Sequence, residues 1–210
     1  MIQKPFFLLI FAAIFSTSAF AEAEKSTPAE GKTEIIVSVK DQKLALVRDG
    51  EIVRKYKIST SRFGIGDSYG SYRTPLGRLT VSEKIGAGLA SGSVLKCRRP
   101  TGEVLQPNAP GRDPIVSRIL WLNGDEAANR NAHERGVYIH GTPDEKHLGR
   151  PASYGCIRMA SADVIELFTA VPVGTQVSIV KDALPGSNGF LAMFAQLDSP
   201  KRAPSSAARL

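Results

Sequence analysis

Two short runs of β-branched and apolar residues open the folded part of this chain: Ile35-Ile36-Val37 and Leu44-Ala45-Leu46-Val47. Asp49-Gly50 follows them, and then a stretch in which Ile52, Tyr56 and Ile58 recur at even spacing. Runs this short, with residues of this shape, suit strands better than helices. An Asp-Gly pair supplies the two left-handed residues that a type I′ hairpin turn requires. Residues 44–58 therefore predict a β-hairpin, and a hairpin needs further strands to bury its apolar face. The chain offers them around Leu79 and Val81 after Thr74-Pro75-Leu76-Gly77, from Ile115 to Leu122 with Trp121, from Val137 to His140, and from Gln176 to Val180. The Ile115–Leu122 stretch is apolar enough for a strand buried on both faces. Only one segment has a clear helical period. There Val164, Leu167, Phe168 and Val171 follow i, i+3, i+4, i+7 spacing, with Ser161 as cap and Pro172 and Gly174 as the stop. The content is strand-rich, with one helix packed on the core.

The ends carry different signals. Lys4 precedes an uncharged apolar run from Phe6 to Phe15, and Ala19-Phe20-Ala21 offers the small residues of a cleavage site. This is the pattern of an export signal over residues 1–21. Its apolar run is half the ~20 residues that a membrane span needs, so no stable span is expected after cleavage. Residues 22–33 read as a polar linker, 34–183 as one catalytic-sized domain, and 184–210 as a flexible tail rich in Ser, Ala and Pro. In that tail, Phe190, Leu191, Phe194 and Leu197 have the spacing of a short amphipathic helix, to which no role is assigned. The net charge of +7 is spread along the chain. The densest basic group, Lys96, Arg98 and Arg99, has no interleaved aromatics, which argues against nucleic acid and suits an exported protein among anionic polymers. Gly64, Gly66 and Gly70 do not have dinucleotide-loop spacing, so no nucleotide cofactor is expected. The three histidines and two cysteines have no metal-ligand spacing either. Gly86 to Asp113 contains five glycines and no sustained period, and reads as a long functional loop or lid. A second polar loop runs from Asn123 to Arg135.

The chemistry concentrates in Y-I-H-G-T-P-D-E-K-H-L-G-R-P-A-S-Y-G-C-I-R-M, Tyr138 to Met159. Cys156 lies between Gly155 and a nearby cation, Arg158, with His140 sixteen residues upstream at the end of a strand-like run. Thiol catalysis needs a base, something to orient it, and donors for the developing oxyanion. His140 is the best-placed base. His147 and His133 fall in polar loop sequence, where a histidine is normally solvated. Gly155 allows close backbone approach, and the amides of Gly155 and Cys156 are candidate oxyanion donors. In an extended stretch Arg158 would point to the same side as Cys156, able to bind a substrate carboxylate and favour the thiolate; a structural salt bridge is its alternative. Ser153 is expected to hydrogen-bond within the motif. Two cysteines in an exported protein could also form a disulfide, although Cys97 reads as a free thiol.

The His-Gly-Thr and Ser-Tyr-Gly-Cys-Ile-Arg-Met segments, at this separation, resemble the YkuD-type L,D-transpeptidases of bacterial cell walls. The resemblance extends over about residues 34–180 and includes Ser71–Gly77. It implies a β-sandwich with a helix packed at its edge and long active-site loops. The activity it implies is an exported enzyme that works on peptidoglycan tetrapeptide stems through a cysteine acyl-enzyme. By the same resemblance the carbonyl of Gly141 would orient His140, and Arg158 and Ser153 would belong to the site. Many members carry His where this chain has Tyr154, so a substrate contact at that position is open. A hydrolase with the same machinery, an envelope lipoprotein as acceptor, and a non-catalytic wall-binding module are the alternatives.

Overall fold

A computed structural model describes residues 31–185. The export signal, most of the linker and most of the tail lie outside these residues. The described chain forms ten strands and one α-helix. β1 (Thr33–Ser38), β2 (Lys43–Arg48), β3 (Glu51–Ser59), β4 (Gly77–Ile85), β5 (Ser93–Lys96) and β6 (Arg99–Val104) come first. β7 (Ile115–Gly124), β8 (Tyr138–Gly141), β9 (Ile157–Met159), α1 (Ser161–Ala170) and β10 (Gln176–Val180) follow. No helix among the described residues is long and apolar enough to cross a membrane.

The β2–β3 hairpin forms where Asp49-Gly50 placed it, and both turn residues have positive φ, 50° and 79°. The strands lie in the order β4-β10-β1-β2-β3-β9-β8-β7-β5-β6, and β4 also pairs with β7. That last pairing joins the two layers of the sandwich into one continuous sheet and leaves only the β5–β6 hairpin outside the closed circuit. Ile35, Val37, Leu44, Leu46 and Ile58 point inward from the first hairpin strands. They meet Leu79, Leu120, Leu122, Ile139, Ile157 and Met159 from the opposite side. Val164, Leu167, Phe168 and Val171 of the helical stripe join the same core, so α1 packs at the sheet edge by burying its one apolar face.

Three local expectations are corrected. Gly86–Asp113 is not aperiodic throughout, because β5 and β6 form a hairpin within it, anchored to β7 through Val94–Val116 and Leu95–Ile115. Gly88 and Gly92 lie in turns while Gly102 lies within β6, and that exposed strand carries too few apolar residues to register as a pattern. Ser161 does not cap α1. Ala160 holds the N-cap position without a side-chain bond, and the Ser161 N–H donates instead to Glu145 Oε1 at 2.9 Å. A carboxylate at a helix N-terminus satisfies the same orphan donor and also faces the positive end of the dipole. β7 is buried on both faces, as its composition implied, but it carries a bulge at Ser117, with φ 66° and a register shift between Val116 and Ile119. Such bulges re-aim a strand locally. Here the bulge separates the part of β7 that pairs with β5 from the part that pairs with β4.

Candidate active site

β8 and β9 lie side by side and parallel, with Ile139 opposite Ile157, His140 opposite Arg158 and Gly141 opposite Met159. Ile139, Ile157 and Met159 enter the core, so the period-two alternation of a strand sends Tyr138, His140 and Arg158 to the other face. Cys156, one residue before β9, joins Tyr138 on that face in a small apolar cluster with Leu95, Ile119 and Trp121. The fold thus brings the thiol and His140 onto one surface across sixteen residues of sequence. Gly141 is fixed by contact rather than freedom: a Cβ there would lie 2.5 Å from the Val116 carbonyl oxygen.

The His140 Nδ1 lies 2.9 Å from its neighbour's carbonyl, Gly141 O. A carbonyl can only accept, so Nδ1 carries the proton and Nε2 is left as the base. Burial lowers the His140 pKa to about 4, partly opposed by the Gly141 bond. Cys156 Sγ donates to Gly136 O at 3.3 Å and accepts from the Tyr138 N–H at 3.4 Å. Burial raises its thiol to about 11, while the Tyr138 amide and the charge of Arg135 oppose the rise. Between those values the resting pair is thiol and neutral imidazole, not thiolate and imidazolium. Alkylation of Cys156 by iodoacetamide, in a Cys97→Ser background, should therefore rise with pH toward about 11 with no plateau near neutrality. A plateau beginning near pH 6 would mean a preformed ion pair.

The loop before the thiol is held from within. Ser153 Oγ donates to Cys156 O at 2.6 Å and accepts from the Gly155 N–H at 3.2 Å. Ser153 acts inside the motif, as its sequence position suggested. The Gly155 amide, expected as an oxyanion donor, is already used by that serine. Gly155 has φ 122°, which excludes other residues, and Thr74 Oγ1 donates to its carbonyl at 3.0 Å. The strand-like segment at Thr60–Arg62 is stitched to the same loop by Ser153 N to Thr60 O and Arg62 N to Ser153 O.

Arg158 reaches the predicted face, but its guanidinium already meets a carboxylate of the chain, Asp113 at the end of the β5–β6 excursion. Thr142 Oγ1 donates to the same aspartate. Arg158 is 7% exposed, and its Nε has no hydrogen-bond partner. The cation acting on Cys156 is Arg135, which is locked to Asp67 at 2.8 Å with both side chains 7% exposed. Sequence reasoning did not single out Arg135. Its only signal was its place beside Gly136 at the mouth of β8. His133, expected in solvent, stacks on Trp121 with ring centroids 4.1 Å apart, and Trp121 Nε1 donates to its carbonyl. His147 pairs with Asp144 at 2.7 Å, away from the thiol cluster. Tyr154 is 59% exposed. Cys97 and Cys156 are both free. Among the described residues no group of three or more His, Cys, Asp or Glu side chains could hold a metal.

Residues 32–179 match the sequence profile of the YkuD family, described as the L,D-transpeptidase catalytic domain. The YqjB protein of Bacillus subtilis (strain 168), named for L,D-transpeptidase activity, is 30% identical over 155 residues, covering 74% of this chain and 75% of that protein. The similarly named YkuD of Bacillus licheniformis is 54% identical over 79 residues, which is 37% of this chain and 48% of the relative. Among solved structures, an L,D-transpeptidase from Mycobacterium smegmatis aligns with a TM-score of 0.48 at 18% identity, over 71% of this chain and 59% of its own.

Proposed function

The chain belongs to the YkuD family of L,D-transpeptidase catalytic domains and is an L,D-transpeptidase, and we propose that it works through a Cys156 acyl-enzyme on exported peptidoglycan tetrapeptide stems. The observation that carries this reading is the shared face of β8 and β9, which holds a free thiol and an imidazole whose Nδ1 is fixed by Gly141. As sulfur attacks the carbonyl of the third, diamino-acid residue, His140 Nε2 takes the thiol proton. It returns that proton to the departing D-alanine amine. Since both groups rest neutral, proton transfer accompanies attack rather than preceding it. The Cys156 amide is the donor proposed for the oxyanion, with Gly155 and Ser153 shaping the loop around it. The thioester then passes the acyl group to an amine of a neighbouring stem, which makes a cross-link between third-position residues. This chemistry needs no ATP, which suits an exported enzyme in the periplasm or cell envelope. An envelope lipoprotein with an accessible lysine offers the same acceptor chemistry.

Water competes with the acceptor for the thioester. The β5–β6 hairpin supports transfer over hydrolysis, because Leu95 packs in the Cys156 cluster and Arg98 spans to the far side of it. The Arg98 guanidinium lies 4.3 Å from the Trp121 ring centroid and its Nη1 donates to Tyr138 Oη at 3.3 Å. Incubating a tetrapeptide stem with and without an acceptor stem tests the proposal. Cross-linked dimer should dominate when acceptor is present. Free tripeptide in both reactions would make the protein a hydrolase, and unchanged stem would remove the stem from its substrates.

A further inference from the structure

A cavity of about 500 Å³ opens between the loop that leads to Cys156 and the turn after β8. It is lined by Arg62, Arg150 and Arg158, by Asp113 and Asp144, and by Tyr154. Its charges are not matched in pairs. Asp113 serves Arg158 and Thr142, and Asp144 serves His147 and, at 4.0 Å, Arg158. Arg62 makes no ion pair with a described residue. Its guanidinium donates to Tyr154 Oη and lies 4.3 Å from the Tyr154 ring centroid and 5.2 Å from that of Phe63. Arg150 has no ion pair or side-chain hydrogen bond to another described residue. Three guanidiniums thus converge on one cavity whose two carboxylates, Asp113 and, at 4.0 Å, Asp144, both serve Arg158. The Nε of Arg158 remains unpartnered and buried.

We propose that this cavity is a carboxylate site with Arg62 as its receptor, occupied by a free carboxylate of the peptide stem. The proposal rests on the stem-peptide reading above and moves recognition from Arg158, whose Nη1 is already paired with Asp113, to the neighbour that has no counter-ion among the described residues. A guanidinium holds a carboxylate through two parallel N–H donors. Stacking on Tyr154 and Phe63 holds the Arg62 fork flat, so less side-chain freedom is lost on binding. The backbone bonds between Arg62 and Ser153 fix its distance from the motif loop. Tyr154 and Arg158, two residues to either side of Cys156, both line the cavity, so the cavity adjoins the segment that carries the thiol. Asp113 shows the chemistry the floor of the cavity accepts. Two carboxylates of a tetrapeptide stem fit: the terminal D-alanine carboxylate and one on the side chain of the diamino acid.

Calorimetric binding to the full-length Cys156→Ala protein separates them. Three probes are needed: the tetrapeptide stem, the stem amidated at its terminus, and the stem amidated on the diamino-acid side chain. One amidation should weaken binding about tenfold, the scale of one charge-assisted contact, and it identifies which carboxylate is read. Adding Arg62→Gln should weaken the intact stem by the same factor and abolish the difference between that pair of probes. Arg62→Lys should fall between. Arg62 is exposed, so these variants should fold. The inference is overturned if Arg62→Gln keeps the discrimination, if neither amidation matters, or if no stem binds. In any of these cases, cross-linked dimer from the wild-type protein would leave the transpeptidase reading standing. Failure of the wild type to release D-alanine from any stem would remove that reading itself.

Discussion

Cys156→Ala is expected to fold like the parent and to form no cross-linked product. The change removes one sulfur from a partly buried position and gives up two weak contacts, those to Gly136 O and the Tyr138 N–H. Stability should move by no more than about 1–2 kcal/mol, within the usual range for a small truncation without loss of a strong bond. Activity should vanish, because no other thiol among the described residues shares the face with His140. Cys97→Ser is the control. Cys97 sits exposed at the β5–β6 turn and forms no disulfide, so its loss should leave product formation within about twofold of the parent, since it touches nothing on the route to the thioester. Equal loss in both variants, with the fold intact, would mean that a bond between the two sulfurs matters and that the free-thiol mechanism is wrong.

His140→Gln should lower the acylation rate by about 10² or more, the ordinary scale for losing a general base. Glutamine can still donate to a carbonyl but cannot take the thiol proton. His147→Gln should change the rate little, since His147 is paired with Asp144 and stands apart from the thiol cluster. The reverse ranking would move the base to His147. A second readout separates chemistry from structure. The folded pKa of His140, about 4, lies below its ordinary value of 6.5. Its contribution to stability is therefore complete above pH 6.5 and is lost as pH falls through 4, because the unfolded chain binds the proton more readily. The loss is on the order of 3 kcal/mol. In denaturant titrations between pH 7 and pH 4 the wild type should lose about this much more stability than His140→Gln. Parallel curves would show that the imidazole is not buried as described.

Much of the fold was readable because period and turn chemistry agreed. β1, the β2–β3 hairpin, β4, the helical face and β10 all rest on alternation or on i, i+3, i+4 spacing next to a Gly, Pro or Asp-Gly signal. β5 and β6 escaped because β6, Arg-Pro-Thr-Gly-Glu-Val, is exposed throughout and buries nothing that would leave a pattern. Sheet closure through β4–β7 has no local signature, since it joins residues about forty apart. At the site, local spacing put forward Cys156, His140 and Ser153, and a strand-like stretch put Arg158 on the face that His140 shares. What spacing cannot show is the partner already waiting there. Asp113 lies 45 residues from Arg158, and Arg62 reaches the motif from another loop, whose Asp67 pairs with Arg135 just ahead of the motif. Charge neutralisation of this kind is decided by tertiary contacts alone. The environment of the thiol was misjudged for the same reason: its nearest effective cation, Arg135, arrives through a buried pair with Asp67 rather than from the motif.

The central claim is a covalent one, and peptide mass spectrometry addresses it directly. The full-length protein would be mixed with a tetrapeptide stem, quenched in acid within seconds, and digested. The account predicts a mass increase equal to the stem less its terminal D-alanine, carried on the peptide that contains Cys156 and lost on treatment with hydroxylamine, as a thioester requires. No adduct during active turnover, or an adduct on the peptide that contains Cys97, would contradict it.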